Sequence, residues 1–252
     1  MKTLLRALYL VYYCLVAAPL FVVATILLST ITVVGCALGG QRIFGYWPGV
    51  YWSRIALVLS LCPTHVVGRE YIPKDHTPCV AMANHQGAFD IFMMYGLLPI
   101  PFRWVMKASL RKVPFMGKAC QMAGFIFVDD QKKGSIKETM DSARRVLSEG
   151  TSIFIFPEGS RTLTGRMDRF KKGGFVLAYE LDVPIIPVSI DGSYRALRAG
   201  TRWVTPTRLT LTIHPPIHID REGEYPRNML QALDQVRSSI ASVLPEEQET
   251  HS

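Results

Sequence analysis

The apolar positions of this chain are concentrated near its N-terminal end. No charged residue occurs between Ala7 and Gly40, and as one straight helix this run would measure roughly 50 Å, against a bilayer core of about 30 Å. Pro19 and the stretch Gly35 to Gly40 are expected break points, and Ser53 to Cys62 predicts a second helix too short to span. The pattern favours a helical hairpin embedded in a membrane from one side, with a single span as the alternative. A secretory signal is disfavoured, because its apolar region normally covers only about 7–15 residues.

Beyond about Pro63 the pattern changes to short apolar runs that alternate with helical stretches. The predicted strands are Cys79–Ala83, Gly124–Val128, Ser152–Phe156, Ile185–Ile190 and Leu209–Ile213. The predicted helices are Ile91–Leu98, Ile136–Ser148 and Gly174–Leu181. This alternation predicts an α/β domain with a mixed, largely covered sheet and flanking helices. We therefore expect a membrane-attachment segment at residues 1–62, an α/β domain at 63–244 and a frayed polar tail at 245–252.

The composition narrows the class of partner. A formal net charge of +8 and a pI near 9.3 suit a phosphate-rich partner, which could be a nucleic acid, an anionic lipid headgroup or a phosphorylated metabolite. A nucleic-acid partner would leave the long apolar segment unexplained, so we expect none. The five cysteines contain no C-x-x-C pair, and Pro215 and Pro216 prevent His214 and His218 from forming a helical metal pair. The sequence therefore predicts no disulfide framework and no metal site.

The segment NHQGAFD, Asn84 to Asp90, could carry acid–base chemistry. In one continuous helix, residues five positions apart point about 140° away from each other, so His85 and Asp90 would not meet. They can meet if His85 lies in a strand-to-helix loop, where Gly87 permits the turn, and Asp90 lies in the first turns of the helix. The carboxylate would then hold the imidazole in one tautomer, which leaves the other ring nitrogen to take a proton from a hydroxyl group.

A second segment predicts a phosphate site. PEGSRT, Pro157 to Thr162, follows a predicted strand, and Lys171-Lys172-Gly173-Gly174 comes shortly after it. Glycines at a strand end allow close approach to a phosphate, and Arg161 could bind it with two hydrogen bonds. A solvated polar turn is the alternative reading of the same residues.

These segments together resemble a known family. NHQGAFD resembles the N-H-x4-D block of the 1-acyl-glycerol-3-phosphate acyltransferase family, and Phe156 to Thr162, FPEGSRT, resembles its F-P-E-G-[ST]-R-[ST] block. Arg103 to Gly117 and Val183 to Ile190 are similar to two further segments of that family. Four blocks in the same order cover about half of the chain, which makes the resemblance specific.

One block departs from the family pattern. Gly124 to Asp130, GFIFVDD, aligns with a block that resembles G-x-x-F-[IV]-x-R, so Asp130 stands where the family has an arginine. In the family that arginine is thought to hold the phosphate of the acceptor, which an aspartate would repel. Another cation must then serve, or the acceptor carries a different headgroup. The candidate cations are Lys107, Lys132, Lys133 and Arg161.

The resemblance implies an activity and a set of site residues. The family moves a fatty acyl group from acyl-CoA or acyl-carrier protein to the sn-2 hydroxyl of 1-acyl-glycerol-3-phosphate, giving phosphatidic acid for phospholipid biosynthesis, without a further cofactor. His85 would be the general base and Asp90 would stabilise the imidazolium. The implied substrate-binding residues are Asn84, Lys107, Glu158, Gly159, Ser160, Arg161, Lys171 and Lys172.

The resemblance also implies partners and a location. The partners are a lysophosphatidic-acid-like lipid, an acyl thioester and the bilayer, with acyl-carrier protein as a further candidate. The location is the inner cell membrane, with the catalytic domain on the cytoplasmic face. Two alternatives stay open: an acyltransferase acting on lyso-ornithine lipid, another lysophospholipid or glycerol 3-phosphate, and a lipid-binding protein without activity. A serine hydrolase is disfavoured because the chain has no G-x-S-x-G segment.

Overall fold

The fold is known from a computed structural model that describes residues 2–75, 77–129, 134–198, 200–201, 203–222 and 224–248. Asp130, Lys132 and Lys133, which the sequence brings into the acceptor question, lie outside the described residues. The strands are β1 (Thr64–Val67), β2 (Val80–Ala83), β3 (Phe102–Lys107), β4 (Ile126–Val128), β5 (Ser152–Ile155), β6 (Ile185–Asp191) and β7 (Leu209–Ile213). The helices are α1 (Lys2–Tyr12), α2 (Ala18–Ala37), α3 (Gln41–Phe44), α4 (Trp47–Leu59), α5 (Phe89–Leu97), α6 (Met116–Met122), α7 (Ser135–Ser148), α8 (Gly173–Leu181), α9 (Ser193–Ala196), α10 (Arg227–Ala241) and α11 (Pro245–Gln248).

The strands form a mixed sheet in the order β1-β7-β6-β2-β5-β3-β4. Only the β6–β7 pair of the described strands is antiparallel. Since β2, β3 and β5 run parallel, their carboxyl ends meet at one edge of the sheet. This is the edge at which loops of an open α/β sheet usually carry the functional residues.

Both faces of the sheet are covered, as the sequence predicts. Side chains of β2 alternate between two cores: Ala81 and Ala83 join one that includes α4 and α5, whereas Val80 and Met82 join one that includes α7, α8 and α10. Every β2 residue is buried, which explains why this strand is a continuous apolar run and not an alternating one. The mixed, covered α/β sheet is therefore confirmed.

The N-terminal segment forms two antiparallel helical pieces. Leu4–Ala37 is a 34-residue apolar helical stretch, the only one in the described part of the chain that is long and apolar enough to cross a membrane. The helix continues through Pro19, preceded by a π-helical turn, so the break expected there is wrong. It ends before Gly39, whose φ of +87° suits a glycine, so the break expected between Gly35 and Gly40 is confirmed.

The second helical piece, α4, joins the apolar helix to the α/β domain. Trp52 Nε1 donates to Thr25 Oγ1 at 2.9 Å, and Tyr9 Oη donates to the carbonyl of Ser60 at 3.0 Å. On its other side α4 packs closely on α5, since a Cβ at Gly49 would lie 2.1 Å from Cε1 of Tyr95. Helix α4 begins at Trp47, earlier than the expected Ser53, with Pro48 in its first turn, where the missing N–H of a proline costs no helical hydrogen bond.

Several elements were not expected from the sequence. Strands β1 and β3 and helices α6 and α10 are present, although the sequence reading assigned them no element. Residues Pro245–Gln248, expected to be frayed, form α11, and Glu247 Oε1 accepts the backbone N–H of Met167 at 2.6 Å. That contact explains why this part of the tail is held against the domain.

Candidate active site

His85 and Asp90 meet at the carboxyl edge of the sheet. His85 lies in the loop after β2, and Asp90 lies in the first turn of α5. His85 Nδ1 is 2.7 Å from Asp90 Oδ2, and Asp90 has no exposed surface. The same oxygen accepts the backbone N–H groups of Gln86 at 2.6 Å and Gly87 at 2.9 Å. The carboxylate is therefore fixed by the loop that carries the histidine, and it favours the tautomer with the proton on Nδ1.

A second contact fixes the plane of the imidazole. The ring of His85 stacks on that of Phe156, with centroids 3.8 Å apart and planes 7° from parallel. Phe156 directly follows β5, the strand that pairs with β2 in parallel. The imidazole is thus oriented by one contact in its plane and one on its face. Its second nitrogen, Nε2, can then accept a proton.

Glu158 ties the two sequence motifs together. Its Oε1 accepts the backbone N–H of His85 at 2.7 Å, and its Oε2 accepts that of Asp168 at 2.8 Å. The side chain is only 5% exposed, and burial raises the pKa of Glu158 to about 7, although the two N–H donors lower it. Glu158 is not among the residues that line the cavity, and its two hydrogen bonds join the loop of His85 to the loop of Asp168.

A cavity of about 950 Å³ opens at His85. Its mouth carries Lys107 from the end of β3, Arg161 from the loop after β5, and Lys171 just before α8. These three side chains are exposed, whereas the carboxylates of Asp90 and Glu158 are buried. The arrangement places positive charge where an anionic headgroup could enter.

Gly159 and Ser160 line the same mouth. Gly159 has a φ of +79°, and a Cβ there would lie 2.5 Å from Nζ and 2.9 Å from Cε of Lys171. A side chain at position 159 would therefore be strained and would also displace Lys171. The glycine allows the lysine to lie across the loop.

Besides Glu158, two further residues predicted to bind substrate do not line the cavity. Asn84 is fully buried, its amide donates to the carbonyl of Ile190 at 2.9 Å, and its oxygen accepts the N–H of the same residue at 2.8 Å. It therefore joins β2 to β6 in this structure. Lys172 is exposed but lies outside the set of lining residues.

Other residues of the site carried no role in the sequence reading. Phe156 is one, and Thr162 is another, since its N–H donates to the carbonyl of His85 at 2.9 Å. Both flank the PEGSR segment, and this position in the motif was the one sign in the sequence that they belong to the site. His214 lies away from the cavity: its Nε2 is 2.7 Å from Ser189 Oγ, and burial lowers the pKa of His214. The described residues contain no cluster of three or more side chains suited to a metal ion.

Known proteins share this sequence pattern and fold. The family model described as Acyltransferase matches residues 63–191. A 1-acyl-sn-glycerol-3-phosphate acyltransferase of Pseudomonas aeruginosa is 30% identical over 201 residues, which cover 77% of this chain and 76% of that protein. The alpha form of the mouse enzyme of the same name is 32% identical, with 72% of this chain and 63% of that protein covered.

Some relatives are longer than this chain. A 1-acyl-sn-glycerol-3-phosphate acyltransferase of Chlamydomonas reinhardtii is 29% identical over 72% of this chain, which spans only 53% of that protein's length.

A solved structure has the same fold. The crystal structure of the 1-acyl-sn-glycerophosphate (LPA) acyltransferase PlsC from Thermotoga maritima matches the fold with a TM-score of 0.77. It is 23% identical and covers 100% of this chain and 98% of its own.

Proposed function

Because this chain belongs to the acyltransferase family that includes the 1-acyl-sn-glycerol-3-phosphate acyltransferases, we propose that it acylates the sn-2 hydroxyl of 1-acyl-glycerol-3-phosphate. The donor is a fatty acyl thioester of either CoA or acyl-carrier protein, and the products are phosphatidic acid and the free thiol of the carrier. The observation that carries the proposal is the His85–Asp90 contact of 2.7 Å at the polar end of the apolar cavity. No cofactor takes part, since the thioester itself supplies the activated acyl group.

The reaction is direct transfer with His85 as general base. As the acceptor hydroxyl attacks the thioester carbon, its proton passes to Nε2 of His85, and Asp90 stabilises the imidazolium that forms. The carbonyl then re-forms while the carbon–sulfur bond breaks, and the departing thiolate takes the proton from the imidazolium. Base catalysis of this kind contributes about 10²–10⁴-fold to the rate.

The acceptor phosphate binds the cations at the mouth. Lys107, Arg161 and Lys171 all line the cavity there. Arg161 can form two parallel hydrogen bonds with phosphate oxygens, whereas each lysine acts as a single positive charge. The family pattern has an arginine at position 130, where this sequence has Asp130. Together these three side chains take over the role of that arginine.

A second candidate function is the same chemistry on another acceptor. Asp130 in the position of the family arginine favours it, because a carboxylate there suits a headgroup that carries a positive charge. Lyso-ornithine lipid and a lysophospholipid with a cationic group in its head meet this condition. Glycerol 3-phosphate, the third candidate acceptor, carries no positive charge and is supported by the family resemblance alone.

The protein attaches to the inner cell membrane through its N-terminal helices, with the catalytic domain on the cytoplasmic face. Only 6% of the most apolar window of Leu4–Ala37 is buried within the chain, so its surface is available to lipid. The antiparallel packing of α2 and α4 supports a hairpin that enters from one side. Labelling of both termini from the cytoplasmic side alone is the expected result, and labelling of the N-terminus from outside would favour a single span.

An acceptor panel tests the proposed activity. The purified protein in detergent micelles is given one acyl-CoA together with lysophosphatidic acid, a zwitterionic lysophospholipid, lyso-ornithine lipid, glycerol 3-phosphate or uncharged monoacylglycerol. We expect the highest kcat/KM with lysophosphatidic acid. A preference for lyso-ornithine lipid would support the second candidate, and absence of turnover with every acceptor would exclude both.

A further inference from the structure

A second, smaller cavity lies between α4, β1 and the end of α5, and we name it the α4–β1 cavity. Its volume is about 290 Å³, and it shares no described lining residue with the cavity at His85. Helix α4 contributes Arg54 and Val58 to its lining, β1 contributes Thr64, and a 3₁₀ turn after β1 contributes Arg69. The first turn of α5 carries the catalytic carboxylate, whereas its last turn lines the α4–β1 cavity. The two cavities are therefore separate sites.

Two guanidinium groups line the α4–β1 cavity without a carboxylate. Arg54 and Arg69 are both exposed, and neither forms an ion pair with another residue in the described part of the chain. No acidic residue is among the described residues that line the cavity. Like charges brought to one small cavity repel each other, and an anion between them turns this repulsion into attraction. The charge pattern therefore favours an anionic ligand.

Arg54 is held in a defined orientation. Its Nε donates to the carbonyl of Gly96 at 2.9 Å, in the last turn of α5. The glycine permits this close approach, since a Cβ at Gly96 would lie 3.3 Å from Cβ of Ser53. A guanidinium has five N–H donors, so the two terminal nitrogens of Arg54 keep theirs for a ligand. The contact with α5 would by itself explain Arg54 as a cap of that helix, but it does not explain the second arginine.

Arg69 has a fixed backbone but no structural partner for its side chain. It begins the 3₁₀ turn Arg69–Tyr71, directly after Gly68, whose φ is +81°. A Cβ at Gly68 would collide with the carbonyl oxygen of Ile213 in β7, so the turn lies close against the sheet. The guanidinium makes no hydrogen bond and no ion pair with the residues that the structure describes. A role in folding leaves this arginine unexplained, whereas a ligand in the cavity would contact it.

Apolar surface surrounds the opening of the α4–β1 cavity. Val58, which lines it, is 73% exposed, and Leu61, just after α4, is 55% exposed. Helix α1 of the proposed membrane attachment adjoins this end of α4, since Tyr9 Oη donates to the carbonyl of Ser60 at 3.0 Å. A free phosphate ion gains nothing from apolar surface, whereas a phospholipid carries its phosphate beside apolar chains. The arginines and the apolar side chains therefore suit one and the same molecule.

We infer that the α4–β1 cavity binds the phosphate group of an anionic phospholipid of the bilayer. Arg54 and Arg69 donate to the phosphate oxygens, the hydroxyl of Thr64 supplies a further donor, and Val58 packs against the apolar part of the lipid. This lipid is a component of the membrane and not the acceptor that binds at His85. Bound there, it holds the junction between the membrane helices and the α/β domain at the headgroup layer.

Lipid binding by the purified full chain in neutral detergent micelles tests this site. Phosphatidylglycerol is titrated and the bound lipid is counted by native mass spectrometry, with phosphatidylcholine of the same chains as the zwitterionic comparison. Arg69→Gln removes the charge that has no structural partner, and Arg54→Gln removes the other. Arg42→Gln is the matched control, since Arg42 is an exposed arginine of α3 that lines neither cavity. Arg161→Gln, alone and combined with Arg69→Gln, separates this site from the mouth of the catalytic cavity.

The expected result is a selective loss of affinity for the anionic lipid. Arg69→Gln should raise the Kd of one bound phosphatidylglycerol about 10-fold or more, because hydrogen bonds between charged groups are among the strongest. The same rise should occur when Arg161→Gln is also present. Arg42→Gln should leave the Kd unchanged, and phosphatidylcholine should not distinguish Arg69→Gln from the parent. If Arg54→Gln fails to fold because its contact with Gly96 is lost, Arg69→Gln decides alone.

Three outcomes would overturn the lipid site. The first is equal binding of phosphatidylglycerol by Arg69→Gln and Arg42→Gln. The second is a loss that vanishes once Arg161→Gln is present, since the lipid would then occupy the catalytic mouth. The third is displacement of the lipid by inorganic phosphate, which would assign the cavity to a soluble anion. None of these measurements requires turnover, so failure of the lipid site leaves the proposed acyl transfer standing, and an inactive parent leaves the lipid site standing.

Discussion

The floor and the mouth of the cavity are built in opposite ways. At the floor, His85 lines the cavity, and two carboxylates behind it fix its loop: Asp90 is fully buried and Glu158 is 5% exposed, and both accept backbone N–H groups of the loops they hold. At the mouth, the cations of Lys107, Arg161 and Lys171 are exposed at the ends of long side chains. The hydrogen bonds at the floor therefore hold the imidazole in one orientation, whereas the cationic side chains at the mouth can change conformation.

This difference separates two tasks of the proposed enzyme. Proton transfer requires heavy atoms within about 2.6–3.2 Å, so a fixed imidazole is an advantage. Headgroup binding can be shared among several cations, because charge attraction falls off gradually with distance. Substitutions at the floor should therefore lower kcat, and substitutions at the mouth should raise KM for the acceptor.

The largest effect is expected from His85→Ala. Removal of the base should lower kcat by about 10²–10⁴-fold with little change in KM, measured as acyl transfer in micelles. His65→Ala is the matched control, since His65 is an exposed histidine of β1. A kcat close to that of the parent protein would remove His85 from the mechanism.

A smaller effect, of the other kind, is expected from Arg161→Ala. Hydrogen bonds to a charged group contribute about 1.5–3 kcal/mol, so KM for lysophosphatidic acid should rise about 10–100-fold while kcat changes little. Arg166→Ala, in the same loop but outside the cavity lining, should have no effect. An uncharged acceptor should be insensitive to either change, and equal loss with charged and uncharged acceptors would contradict a phosphate contact.

Glu158→Gln should change the pH dependence of stability at the floor. Burial raises the pKa of Glu158 from 4.5 to about 7 in the folded protein, so its protonated form is favoured on folding. The contribution of the protonated Glu158 carboxyl to the free energy of unfolding is complete below pH 4.5 and is lost as the pH rises to about 7. Relative to the glutamine variant, the free energy of unfolding of the parent should fall over that range by an amount of order 1–3 kcal/mol.

Denaturant unfolding at a series of pH values measures this difference. The comparison uses the slopes and not the absolute values, because the glutamine NH₂ group cannot accept one of the two N–H groups that Glu158 now binds. Parallel pH profiles for the two proteins would show that Glu158 titrates as it does in the unfolded chain.

Local signals in the sequence were sufficient to predict the contact between His85 and Asp90. A strand, a glycine and a helix start within seven residues predict a loop that lets positions 85 and 90 meet, and the observed distance is 2.7 Å. The contacts of Phe156 and Glu158 with His85 are different, because they depend on how β2 pairs with β5. That register, in which Val80 lies opposite Ile153, joins segments far apart in the chain, and a shift by one residue would turn Phe156 to the other face.

Strand β3 and helix α10 were not predicted from the sequence, for different reasons. β3 contains Arg103 and Lys107, which made it look unlike a buried strand, but Arg103 donates to the carbonyl of Gly45 at 3.1 Å and thereby contacts the N-terminal region. Helix α10 was detectable: Met229, Ala232, Val236 and Ile240 are buried and recur at helical spacing. The course of the cavity was not, since it is lined both by α2 and α4 near the N-terminus and by α7 and α8 from the middle of the chain.

The smallest effect is expected from Phe156→Leu, which removes the ring beneath His85 and keeps an apolar side chain in the cavity lining. Stacked rings contribute about 0.5–1.5 kcal/mol, so kcat should fall by about 2–10-fold as the imidazole loses one of its two constraints. Phe156→Tyr restores the ring and should restore kcat. Phe154→Leu, in the strand that precedes Phe156 and without a ring contact to His85, should lower stability without a selective loss of kcat. If Phe156→Tyr is as slow as Phe156→Leu, the ring does not position the base. The contact with Asp90 alone then accounts for the fixed floor that distinguishes this site from its mouth.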